Sequence, residues 1–201
     1  RQPKALSSER VPIRPVLCSP RFYLLSICFC MYMALFSGFT YHIYPLLIAL
    51  ASDTQSVVFA IALIGPAQVA ARMLMLLFKK ITIIRLGLSA GITFPLAIIM
   101  LKVPTTAFTI ASACILYGAA NGIFTIVRGM AVPELLSHQN YGRINGIMLV
   151  PMSLTRAAAP WIIAQYWTLS GSPDGTIHLM LVFAILIPIM FAAAISANRI
   201  R

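Results

Sequence analysis

Residues 148–167 read MLVPMSLTRAAAPWIIAQYW. Arg156 is the single charged side chain in this stretch. At about 1.5 Å of rise per residue, a helix of this length crosses a hydrocarbon layer of about 30 Å. Lipid offers the backbone no water to bond to, so an apolar run of this kind closes its own hydrogen bonds as a helix. A cation at its middle costs about 2.5–3.5 kcal/mol to insert and needs a partner or a polar cavity.

Five more apolar runs surround it. The six lie near 22–50, 56–78, 81–101, 105–130, 144–169 and 176–197, with short polar gaps between them. The whole chain of 201 residues is 60% hydrophobic and 9% charged, with a mean hydropathy of +0.92. A soluble domain runs about 45–50% apolar and about 25% charged, so this composition cannot clothe a water-facing surface. It excludes an ordinary globular enzyme, a disordered chain and a secreted disulfide scaffold. An all-α membrane protein with six transmembrane helices is the expectation, and the period-2 alternation of a membrane β-barrel is absent.

The net charge of +11 sits in the gaps and not on groove-sized polar elements, which argues against nucleic acid. Residues 1–21 carry four prolines and five basic residues without an apolar run, and read as a flexible basic linker. Six spans place both termini on one face. That face collects twelve basic residues, against Lys102 alone on the other. Positive charge is retained on the cytoplasmic side, so both termini are expected in the cytoplasm and the chain in the cytoplasmic (plasma or inner) membrane.

The candidate functional residues are the polar groups that such spans should not contain. Arg156 suits a carboxylate or phosphate because its donors form a planar fork; bonding to carbonyls of a neighbouring helix, or snorkelling, is the alternative. Tyr41 and His42 precede Pro45 in the first run and read as cavity residues, with an aromatic belt at the interface as the other reading. Asn121 lies inside Gly118-x-x-x-Gly122, a close helix contact that also offers an amide, and Gln68 is a further mid-span polar group. Arg72, Lys79, Lys80, Arg128, Glu134 and Arg143 fall toward the cytoplasmic ends and read as a charge cluster able to hold a gate, or as solvated interface charges. Gly142-x-x-x-Gly146 repeats the small-residue spacing.

No nucleophile–base pair, metal-ligand spacing or phosphate loop can be assembled, so no enzyme, cofactor or metal is expected. Cys18, Cys28, Cys30 and Cys114 read as small packing residues. A membrane-embedded enzyme and a non-transporting six-span structural or channel protein remain as alternatives.

The run Gly65-Pro66-Ala67-Gln68-Val69-Ala70-Ala71-Arg72, ending at Lys79-Lys80, resembles the G-x-x-x-D-R-x-G-R-R motif that major facilitator superfamily transporters repeat in span eight. Ala71 takes the first Gly, Met75 the Asp, Leu76 the Arg and Phe78 the second Gly; the basic pair is what survives. Arg128–Leu135 and Tyr141–Gly146 resemble that superfamily's loop between spans ten and eleven. The resemblance covers nearly the whole chain as the C-terminal six-helix half. It implies a 3+3 inverted repeat, secondary transport of a small anionic or polar solute by alternating access, and a cavity lined by spans seven, eight, ten and eleven. It also implies an N-terminal six-helix half as partner, consistent with a chain that opens on Arg1 and reads as a piece of a longer protein.

Overall fold

The computed structural model describes residues 13–50, 53–77, 81–103 and 106–197. Lys79, Lys80 and residues 1–12 of the expected linker lie outside them. The described residues are helical, without a strand. A short helix α1 (Arg14–Leu17) precedes α2 (Pro20–Leu50), α3 (Thr54–Ala62), α4 (Ile64–Leu77), α5 (Ile83–Met100), α6 (Ala107–Ala131), α7 (Tyr141–Ser170) and α8 (Pro173–Ser196). α3 and α4 form one span, and six spans are long and apolar enough to cross a membrane. The protein is a multi-pass α-helical chain.

Local chemistry sets the boundaries. Asp53 caps α3 by accepting from the amides of Gln55 and Ser56, Thr82 caps α5, Thr106 and Thr109 form a reciprocal capping box on α6, and Ser172 caps α8 ahead of Pro173. Such side-chain oxygens satisfy amides that the first helical turn leaves open. Gly171, at φ 64°, ends α7 in the left-handed region that costs glycine least. The break between α3 and α4 falls at Leu63 because Pro66 lacks the N–H that would have met Ala62, and a proline is tolerated in a first turn. At the other end of α6 the chain widens into a π-helical turn, Val132–Leu136.

The expected linker boundary moves. Pro15 lies in the first turn of α1 and Pro20 starts α2, so these two prolines of the expected linker open helices, where a missing N–H is harmless. Arg21 is consequently buried within the bundle.

Contacts between helices run in the order α4, α6, α5, α8, α2, α7, with α2 and α6 meeting lightly across the middle. The α3–α4 span and α7, at the two ends of that order, are the least buried. The core is aromatic. The Tyr32 ring lies 4.9 Å from Phe124 and 5.8 Å from Phe94, and Phe191 closes on Phe124 at 6.3 Å. These rings join α2, α5, α6 and α8. Between α4 and α6 small residues set the distance: a Cβ on Gly118 would stand 2.6 Å from the Ile64 carbonyl oxygen, and one on Gly122 2.6 Å from that of Gln68. Helices in lipid gain from such close backbone approach because apolar burial alone does not favour helix over lipid.

Candidate functional site

Proline places the first element of the site. In α7 the main-chain carbonyl of Arg156 would accept from the N–H of residue 160, but residue 160 is proline. The hydroxyl of Ser37 on α2 donates to that carbonyl at 2.7 Å. The bond seats the middle of α7 against the middle of α2. The Arg156 guanidinium then lies 5.7 Å from the centre of the Phe36 ring, within the range in which a ring face attracts a cation. Among the described residues it makes no hydrogen bond to a backbone carbonyl.

Beside Arg156 opens a cavity of about 410 Å³ lined by Ser37, Tyr41, Ser153, Arg156, Ala157 and Pro160. It offers a guanidinium, two aliphatic hydroxyls and a phenol. Three other clefts among the described residues are mainly apolar, such as the one walled by Ile27, Met31, Ile147 and Val150. Tyr41 is 71% exposed. His42, one residue on, turns off this face: its ring nitrogen Nδ1 meets the Gly38 carbonyl at 3.1 Å within α2.

Asn121 and Gln68 stand apart from that cavity. The Tyr32 hydroxyl donates to Asn121 Oδ1 at 2.6 Å, and both residues are 2% exposed. The pair ties α2 to α6 in the core. Gln68 brings its backbone against Gly122. Next to them Arg72 donates through Nε to the Gly122 carbonyl at 3.2 Å and through a terminal nitrogen to Thr125 Oγ1 at 3.1 Å.

Glu134 is exposed on the π-helical turn and Arg143 is exposed in the first turn of α7. Arg128 is half-buried, with its Nε lacking a hydrogen-bond partner among the described residues. The protein has four acidic residues, Glu9, Asp53, Glu134 and Asp174, and the three that are described stand at helix ends. Hydrogen bonds from the Ser56 side chain, the Ser56 amide and the Gln55 amide hold the Asp53 carboxyl below the usual carboxylate range. Among the described residues no carboxylate lies at the depth of the mid-span arginines.

Arg21 is a residue that sequence reasoning missed. Its Nε donates to the Ala194 carbonyl at 2.9 Å, and its terminal nitrogens reach Ile195, Ala197 and Leu135 at 3.1, 2.8 and 3.3 Å. It thereby clamps the start of α2 to the end of α8 and to the π-helical turn. A proline at position 20 that opens a helix was the available signal: it carries Arg21 into the bundle.

Comparison with family models, curated proteins and solved structures finds no match for this chain.

Proposed function

We propose that the protein is the C-terminal half of a secondary transporter of major facilitator type, moving a small anionic or polar solute across the cytoplasmic membrane by alternating access. The observation that carries this reading is Arg156: a mid-span cation beside a polar cavity, with no carboxylate opposite it among the described residues. Fixed charge at membrane depth is retained where it serves a pathway.

The packing order supports the 3+3 repeat. Exchanging the first three spans for the last three maps α2·α8 onto α6·α5, maps α2·α7 onto α6·α4, and returns α5·α8 to itself. Each of these contacts is present. On this reading α5 and α8 form the outer wall, α2 and α6 the floor, and α4 and α7 the flanks of an open groove that an N-terminal six-helix half completes. The basic bias supports a cytoplasmic start of α2. There Lys79, Lys80, Arg128, Glu134 and Arg143 would hold one gate, with Arg72 deeper.

Uptake by cells carrying the intact gene tests it, with labelled acetate, phosphate and glutarate as probes. Saturable uptake that Arg156→Gln abolishes, while membrane insertion is normal, supports the reading. Equal uptake by that variant removes Arg156 from the pathway, and non-saturating ohmic flux replaces the transporter by a channel.

A further inference from the structure

Arg72 and Arg156 stand on α4 and α7, the two ends of the packing order. On α4, Ala67, Ala70, Ala71 and Leu74 line an apolar cleft against Leu86 and Ser89 of α5. Arg72 lies outside that cleft and reaches across α6 to Gly122 and Thr125. On α7, Leu154, Ala158 and Ile162 face Phe183 of α8. Arg156 points the other way, into the polar cavity shared with α2. α5 and α8 pack on each other, and each guanidinium lies outside the cleft that its own helix forms with one of them, one on each flank.

A chain of contacts runs between them. Phe36 sits under Arg156 and its ring lies 6.2 Å from Tyr32. Tyr32 is bonded to Asn121, the residue before the Gly122 that anchors Arg72. A continuous aromatic and amide strip therefore separates two cations that no described acidic residue neutralises. Two of Arg72's nitrogens are occupied by α6, yet the residue remains exposed, which leaves a donor for a ligand. Guanidinium forks match oxyanions, and two of them held apart favour a ligand whose charges are held apart.

Resting on the transport reading above, we infer that the solute is an elongated dianion, with an oxyanion group at each end of a short organic skeleton. Arg156 takes one end and Arg72 the other, so Arg72 is a binding residue and not a gate residue.

Thermal melting of the protein in detergent, at constant ionic strength, tests this with four probes. A ligand that binds the folded state raises the melting temperature with its concentration. Glutarate carries carboxylates at both ends and 3-phosphoglycerate replaces one by phosphate. Acetate is the monoanion and inorganic phosphate the compact anion. One of the two elongated probes is expected to bind at least tenfold more tightly than acetate or phosphate, and which one does so identifies the end groups. Arg72→Gln and Arg156→Gln should each reduce that probe to the affinity of acetate. Arg72→Lys, which keeps the charge if Gln does not fold, should retain part of the preference. An unchanged preference in the Arg72 variants alone, or no response to either elongated probe, overturns the dianion assignment and leaves the Arg156 groove standing. No effect of Arg156→Gln on any anion that binds overturns the groove reading itself.

Discussion

The Ser37 hydroxyl and the Arg156 carbonyl form a 2.7 Å hydrogen bond that stands in for the helical bond Pro160 removes. It couples a break in one helix to the side chain of another, and the sidedness of Arg156 follows from it. Ser37→Ala leaves that carbonyl unpaired and is expected to cost about 1–2 kcal/mol. In a Pro160→Ala background residue 160 supplies its own N–H, so the same change should cost close to nothing. Melting temperatures of the four proteins in detergent give the coupling; equal losses in both backgrounds would dissociate the bond from the proline.

Gly118 and Gly122 meet backbone, which cannot swing aside. Gly122→Ala should push α4 from α6 and cost about 1–3 kcal/mol. A Cβ on Gly146 would meet nothing within 4 Å, so alanine there should be accepted without loss of stability. Comparative melting of the two variants checks this, and equal behaviour would contradict the packing.

Arg21 donates to four carbonyls at fixed angles. An ammonium is a point donor and cannot reproduce that fork. Arg21→Lys should therefore fall well short of wild type, by about 2 kcal/mol or more, with faster hydrogen exchange at the end of α8. A lysine variant of full stability would show that charge alone suffices.

Asp53 gives the described structure a pH signature. Its folded carboxyl titrates below the usual carboxylate range, so its contribution is present above that range and is lost as pH falls through it. The difference in melting temperature between wild type and Asp53→Ala should be largest near pH ~7 and shrink toward pH ~3. A difference that grows on acidification would reverse the sign.

Element number and type are legible from composition and run length, because a backbone in lipid has helix as its simplest solution. The two G-x-x-x-G spacings show where reading stops. Gly118/Gly122 is a helix contact and Gly142/Gly146 faces open space, a distinction that depends on which helix lies alongside. Arg156 and Tyr41, both expected to line a cavity, share one. Asn121, read as a helix contact that also offers an amide, bonds Tyr32 between α2 and α6, while the Gln68 backbone meets Gly122 at the α4–α6 seam; spacing along a helix fixes a face and not the partner of that face. In the sequence Ser37 is only part of a polar segment; its role emerges once Pro160 is seen across the interface.

The central claim is that water and solute reach the Arg156 face of α7. In a variant with Cys18, Cys28, Cys30 and Cys114 replaced, single cysteines are introduced as Ser153→Cys, Ala157→Cys, Leu154→Cys and Ile162→Cys, and intact membranes are treated with a membrane-impermeant thiol reagent. Labelling at positions 153 and 157 with protection at 154 and 162 is the predicted result. Protection at 153 and 157 equal to that at 154 and 162 would contradict it.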